Sequence, residues 1–156
     1  MYNMFKIRKA TVKDAEDVLR LAKELFYDLD HQMKVNDRQA LLFCRKILKS
    51  GKYVVFISIG PQDYANGIIA LSEGVSIFAG GRFGVIREFY IMPEMRSKGL
   101  GKALLEKAKK FGRSKRWRRI EATPPDKMKW RRAYKFYVRE GFREIGTRVK
   151  FENPIE

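Results

Sequence analysis

The chain has 156 residues, an apolar content of 45% and a formal net charge of +16 at pH 7. This length favours a single domain, residues 1–156, with enough apolar side chains for a core. One cysteine excludes an intrachain disulfide, one histidine excludes a multi-histidine metal site, and no segment approaches the ~20 apolar residues of a membrane-spanning helix. We therefore expect a protein that binds neither a metal nor a membrane. Because residues 1–6 lack the layout of a signal peptide, we also expect it to be cytoplasmic.

The first half of the chain has the periodicity of a strand, two helices and a strand hairpin. The predicted elements are a strand at residues 5–10, a helix begun by Thr11, a helix from Asn36 to Gly51, and strands at residues 53–59 and 67–71. Cys44 lies on the apolar side of the second helix, where we expect a small buried side chain and not a nucleophile. The glycine-rich segment 80–84 is predicted to be a surface loop.

The second half alternates between strands and helices. The predicted elements are a strand at residues 85–92, a helix from residue 99 or 100 to about 111, a strand at 119–123, a helix from 127 or 128 to 140, and a terminal strand or hairpin at 142–151. Pro93 ends the first of these strands, and Gly141 is well placed as the cap of the last helix.

Positive charge is concentrated in this second half. Residues 96–150 hold 20 of the 34 Lys and Arg residues but only 5 of the 18 Asp and Glu residues. A solvated basic surface would account for this, and so would the attraction of anions such as a coenzyme, a nucleic acid or an acidic substrate. The composition leaves both interpretations open.

The turn Arg96–Gly101, between a predicted strand and a predicted helix, is the most informative stretch. Its glycines let the backbone approach a ligand closely, and the first amides of the helix form an anion site into which a pyrophosphate would fit. The turn is not a P-loop, because Ala103 replaces the required Ser or Thr. It is not the dinucleotide-binding fingerprint either, because Leu104 replaces the third glycine.

The turn and its flanks resemble the signature of the GNAT family of acetyl-CoA-dependent N-acetyltransferases. The strand end reads Phe89-Tyr90-Ile91-Met92-Pro93-Glu94-Met95-Arg96, and Ser97-Lys98-Gly99-Leu100-Gly101 follows. Residues 133–142 are similar to the helix end Ala-x-x-Phe-Tyr-x-x-x-Gly-Phe of the same family, in the usual order and at the usual separation. The resemblance implies an α/β fold, with a mixed, mostly antiparallel sheet of six to seven strands flanked by about four helices. It also implies acetyl transfer to a primary amine by direct attack in a ternary complex.

The resemblance implies roles for individual residues. The acetyl-CoA site would comprise the strand that pairs with the pantetheine arm and the turn that holds the pyrophosphate: Phe89, Tyr90, Ile91, Met92, Arg96, Ser97, Lys98, Gly99, Leu100, Gly101 and Lys102. Tyr137 occupies the position of the family tyrosine that contacts coenzyme A and protonates its thiolate. Tyr134 lies on the same helical face and is an alternative. Trp130 stands where the family often has an asparagine that contacts the coenzyme.

The general base has three candidates. Some members of the family carry a Glu-Asp pair where this chain has Arg87-Glu88. Because strand side chains alternate, Glu88 would face away from the site unless a bulge intervenes. Glu88 is the first candidate for the catalytic base, Glu73 is the second, and a water chain to backbone carbonyls is the third.

The acceptor amine is not specified by the sequence. Arg87 would repel a polyamine, which favours a protein or peptide amine, or an amine on an anionic molecule. The cation–indole clusters 115–119 and 129–132 support an alternative, a basic nucleic-acid-binding protein, and the two functions coexist if the target is bound to nucleic acid. A non-catalytic acetyl-CoA-binding domain is a third reading, and a homodimer is a family-level expectation.

Overall fold

A five-stranded sheet organises the first of two compact units, Met1–Thr123 and Pro124–Glu156, into which the chain divides. The computed structural model describes residues 5–124, 128, 130–146 and 148–154. The sheet order is β1-β2-β3-β4-β5, with every neighbouring pair antiparallel except the parallel pair β4 and β5. The strands are β1 Lys6–Lys9, β2 Tyr53–Ile59, β3 Ala65–Ser76, β4 Gly81–Ile91 and β5 Ile120–Ala122.

Three helices belong to this unit: α1 Ala15–Asp28, α2 Asp37–Ser50 and α3 Leu100–Ser114. The predicted start of α2 at Asn36 is confirmed, since Asn36 caps the helix: Gln39 donates its backbone N–H to Asn36 Oδ1 at 2.9 Å. Gly51 ends the helix in the left-handed conformation, with φ of 75°. Among the residues described, none of the helices combines the length and apolar character needed to span a bilayer.

The helices form a layer on each face of the sheet. Val18 and Leu21 of α1 pack with Ile68 of β3 in a buried cluster that also includes Cys44 of α2, as predicted for this cysteine. The opposite face carries α3, because a Cβ on Gly67 of β3 would contact two leucines of that helix. The side chains of the candidate site residues in β4 therefore face one or the other of these two helical layers.

The prediction of a loop at residues 80–84 is wrong. The turn comprises residues 77–80, and β4 begins at Gly81. Two glycines of this hairpin make room for aromatic rings, since a Cβ on Gly74 would collide with Phe83 and a Cβ on Gly84 would collide with Trp117. These glycines are needed for close packing within strands. In the sequence, however, such a cluster of glycines has the composition of a loop.

The second unit contains α4, Arg131–Arg139, followed by Gly141 with the predicted left-handed φ of 95°. One predicted start of this helix, residue 127, lies outside the described residues. The predicted terminal strand is not found in the part of segment 142–151 that the structure describes, where no residue belongs to a strand ladder. An alternating pattern needs a hydrogen-bonded neighbour to become a strand. The described sheet accordingly has five strands where six to seven were expected, and the preceding order of elements is confirmed.

Candidate active site

The connection from β4 to α3 has the geometry expected of a pyrophosphate site. Gly99, which precedes α3, has φ of 89°, and no side chain caps the helix. The first hydrogen bond within the helix joins the N–H of Ala103 to the carbonyl of Gly99 at 3.0 Å. The N–H groups of residues 100–102 therefore lack acceptors within the helix, and the helix dipole adds partial positive charge beside them.

Ser97 adopts a backbone conformation that favours glycine. Its φ is 63°, in the left-handed region that disfavours residues with a Cβ by roughly 1–2 kcal/mol. The turn nevertheless keeps this conformation with serine. The side chains of Lys98 and Lys102 are exposed on the same connection, where they can meet an anion.

Arg96 holds the turn in place through the contacts of its side chain. Its Nε donates to the carbonyl of Ile91 at 2.9 Å, and its guanidinium lies 3.5 Å from the carboxylate of Asp28 and 5.3 Å from the centre of the Tyr90 ring. Its backbone N–H donates to the carbonyl of Pro93. We therefore expect Arg96 to position the coenzyme site and not to contact the phosphates through its own amide.

A β-bulge in β4 determines where Glu88 points. The register with β3 shifts between Ile69 and Leu71, so that Ala70 lies opposite two residues of β4, Arg87 and Glu88. A bulge of this kind turns both residues of the bulged strand towards one face. Ile86 pairs with Leu71 and faces α3, so strict alternation counted from Ile86 would have placed the Glu88 carboxyl on the face covered by α3.

The bulge brings the Glu88 side chain into a cavity on the face covered by α1 and α2. The cavity has a volume of about 440 Å³, and its wall also includes Ile68 and Ala70 of β3. The Tyr53 hydroxyl of β2 donates a hydrogen bond to Glu88 Oε2. Burial raises the pKa of Glu88 from its ordinary 4.5 to about 7, because the charged carboxylate is poorly solvated there. A carboxyl group with this pKa can accept a proton at neutral pH.

The strand ladder between β4 and β5 ends next to the bulge. The pairing runs from Gly84 opposite Ile120 to Ile86 opposite Ala122, whereas β4 continues to Ile91. The segment 89–92, predicted to pair with the pantetheine arm, thus lies beyond the last described pair of this ladder. An extended ligand that adds to a sheet edge needs such a segment.

The other charged candidates lie away from the cavity. Glu73 is exposed and accepts a hydrogen bond from Trp117 Nε1 at 2.7 Å. It is paired with Gly84, four residues before Glu88, which corresponds to roughly 13 Å along the strand. Arg87 is exposed, its Nε donates to Ser72 Oγ at 2.8 Å, and it does not line the cavity.

Tyr137 of α4 lies between two phenylalanines of its own unit. Its ring centre is 5.6 Å from that of Phe136 and 5.2 Å from that of Phe142, both in edge-on arrangements. Burial raises the pKa of Tyr137 above its ordinary 10.0, so the hydroxyl keeps its proton at neutral pH. The hydroxyl of Tyr134 donates instead to Glu144 Oε1 at 2.6 Å.

The indole of the first cation–indole cluster, residues 115–119, is not free to stack on a nucleic-acid base. The Trp117 ring packs closely over Gly84 and Gly112, and it meets the Phe111 ring edge-on with centres 5.4 Å apart. This indole belongs to the packing between α3 and the sheet. Lys129 of the second cluster lies outside the described residues, and Trp130 precedes α4 without capping it through its side chain.

The sequence reasoning missed Tyr53 and the whole cavity. Tyr53 begins a strand that is apolar apart from Ser58, and a tyrosine there has a polar group that needs a partner when buried. That signal was available, but its partner Glu88 lies 35 positions away. The cavity walls come from two helices, three strands and the connection between α1 and α2, so no local pattern marks them.

Comparisons with known proteins agree with this architecture. The model of the acetyltransferase (GNAT) family matches residues 6–142. An uncharacterized N-acetyltransferase of Archaeoglobus fulgidus is 26% identical over 106 residues, which cover 68% of this chain and 72% of that protein. A predicted acetyltransferase of Clostridium acetobutylicum, solved with acetyl-CoA, has a TM-score of 0.80 at 17% identity, with 96% of each chain covered. An aminoglycoside acetyltransferase from an uncultured soil metagenomic sample, solved with sisomicin, has a TM-score of 0.78 at 15% identity, covering 99% of this chain and 98% of that one. The chain belongs to the GNAT family of acetyltransferases, whose acetyl donor is acetyl-CoA.

Proposed function

We propose that this acetyltransferase transfers the acetyl group to a primary amine by direct attack, with coenzyme and acceptor bound together and Glu88 as the general base. The observation that carries the proposal is the bulge that turns Glu88 into a cavity, where its pKa rises to about 7. A carboxyl group held at this pKa is suited to proton transfer at neutral pH.

The coenzyme is held by the connection between β4 and α3 and by the end of β4. The amides of residues 97–102 bind the pyrophosphate, assisted by Lys98 and Lys102, and the main chain of residues 89–92 pairs with the pantetheine arm. Met92 and Glu88 are four residues apart on an extended chain, a span of roughly 13 Å. An arm that follows the strand from the turn therefore leads towards Glu88. Acetyl-CoA supplies an acetyl group already activated as a thioester.

Two side chains move the protons. Glu88 accepts a proton from the amine that attacks, and the hydroxyl of Tyr53 holds the carboxylate in place and stabilises its charge. Tyr137 retains its proton at neutral pH and donates it to the departing sulfur. Such transfers contribute roughly 10²–10⁴-fold each to the rate.

The acceptor is an amine of a protein or peptide, or an amine on an anionic molecule, in preference to a polyamine. A second ammonium close to the first would have to lie against the apolar part of the cavity wall, at a high desolvation cost. The excess of basic residues in segment 96–150 favours acidic proteins or nucleic-acid-associated targets in the cytoplasm. We also propose that the protein forms a homodimer, as expected from the family.

The test is to mix the protein with acetyl-CoA and a panel of amines and to follow the release of free thiol. Turnover supports the proposal. Saturable coenzyme binding without turnover on any amine would favour a non-catalytic domain instead. RNA affinity that falls steeply with salt, without coenzyme binding, would favour a nucleic-acid-binding protein.

A further inference from the structure

We propose that the acceptor carries its amine on a large apolar group, and that this group occupies the cavity on the α1 and α2 face while the amine meets Glu88. The inference rests on the proposed function and names the class of acceptor. It widens the proposed acceptors to free aryl- and alkylamines beside a peptide whose first residue is large and apolar, because the two share this chemistry.

The deep wall of the cavity is apolar. It is built from Val18 and Ala22 of α1, Ala40 and Cys44 of α2, and Ile68 and Ala70 of β3. Each of these residues is buried, at 8% relative exposure or less. A volume of about 440 Å³ falls within the range typical of small-molecule sites and exceeds the ~150 Å³ that accommodates benzene in an engineered apolar cavity.

The polar groups of the cavity are few and segregated. Glu88 and Tyr53 bond to each other. The remaining long polar side chains come from the connection between α1 and α2, namely His31, Gln32 and Lys34, and all three are exposed. Their exposure places the mouth of the cavity at this connection, and among the described residues that line the cavity Glu88 is the one carboxylate.

This distribution discriminates among amines. An ammonium ion finds one carboxylate, and the carbon skeleton attached to it finds apolar walls. An aminoglycoside or a polyamine would bury hydroxyl or additional ammonium groups without partners, which is costly.

Phe43 offers a way to test the cavity without endangering the fold. It lines the cavity, yet it is 60% exposed, so that Phe43→Ser removes part of the apolar wall with little loss of core packing. Leu42, its neighbour on α2, is 56% exposed and does not line the cavity. Leu42→Ser is the matched control.

The experiment measures kcat/KM by thiol release for phenethylamine, hexylamine, ethanolamine, spermidine and sisomicin. Two peptides that differ only in an N-terminal Leu or Ser distinguish a free amine from a protein terminus as the source. We expect phenethylamine, hexylamine or the Leu peptide to exceed the polar amines by roughly 10²-fold. Phe43→Ser should raise KM for the preferred amine about tenfold at similar kcat, whereas Leu42→Ser should leave both unchanged.

The outcomes separate this inference from the proposed function. Ethanolamine, spermidine, sisomicin or the Ser peptide acetylated as efficiently as the apolar acceptors would overturn the inference and leave the transferase assignment intact. If no amine releases thiol, calorimetry with phenethylamine and spermidine decides. Binding of phenethylamine alone, weakened by Phe43→Ser, would support the apolar site, and absence of that binding would overturn it.

Discussion

Replacing Glu88 by Gln should lower kcat/KM at pH 8 by roughly 10²–10⁴-fold, the usual contribution of a general base. Glutamine has the size of the carboxylic acid and can still bond to the Tyr53 hydroxyl, but it cannot accept a proton. In the wild-type enzyme kcat/KM should rise with pH through an apparent pKa of about 7, because only the ionised carboxylate acts as a base. In the variant, the pH profile of kcat/KM should lack this acidic limb and keep only the limb that reports deprotonation of the acceptor amine.

The same substitution should change the pH dependence of stability. The folded protein holds the Glu88 proton up to about pH 7, whereas the unfolded chain releases it near 4.5. The free energy of unfolding therefore falls as the pH rises from 4.5 to 7, by at most about 3 kcal/mol from this group. Because glutamine does not ionise, the stability of Glu88→Gln relative to the wild type should increase by that amount over this window.

Continuous thiol detection across the pH range and guanidinium unfolding at the two ends of the window measure these effects. Glu73→Gln is the matched carboxyl control, since Glu73 is exposed and bonded to Trp117. His31→Gln is a second control, because His31 also lines the cavity. A Glu88→Gln enzyme with the wild-type rate and an unchanged limb near pH 7 would refute the assignment.

Three further substitutions test the rest of the site. Tyr53→Phe removes the hydroxyl that stabilises the ionised Glu88, so the acidic limb should move to higher pH, and an unmoved limb would contradict this role. Lys102→Glu should keep or raise the melting temperature, since a carboxylate in the first turn of α3 contributes roughly 0.3–1 kcal/mol, yet it should raise KM for acetyl-CoA about tenfold. Lys107→Glu, later in the same helix, is its control, and an equal rise there would indicate general repulsion and no local site. Tyr137→Phe should lower kcat by roughly tenfold or more with an unchanged circular dichroism spectrum, and an unaltered kcat would exclude Tyr137 as the proton donor.

Features whose determinants are local could be predicted from the sequence. The cap at Asn36 depends on a residue three positions away, and the left-handed ends at Gly51 and Gly141 depend on the lack of a Cβ. The turn at residues 96–101 is local in the same sense, because its glycines and the start of α3 are contiguous. Its geometry was therefore predictable in the same detail as a helix cap.

Features that depend on distant partners were not predictable. Gly84 lies within a strand because the Trp117 ring packs over it, and the two are separated by 33 positions along the chain. The missing final strand is another case, since segment 142–151 has an alternating pattern but its described residues join no ladder. Composition and alternation are properties of a single segment of the sequence. Strand pairing and close packing depend on two segments that are distant in the sequence.

The bulge at Arg87 and Glu88 shows how such a non-local feature connects both halves of the proposed reaction. Its extra residue exists only relative to the register of β3, so the sequence of β4 alone leaves the direction of Glu88 open. A bulge also increases the local twist of its strand, and the pairing with β5 ends at Ile86, immediately before it. The irregularity therefore places the proposed base between Ile86, the last residue of β4 paired with β5, and the segment 89–92, to which the coenzyme arm is proposed to bind. In a regular strand that kept Ile86 on the α3 face, a Glu at position 88 would face α3, so the bulge makes the one-residue shift relative to the family pattern compatible with the proposed role of Glu88.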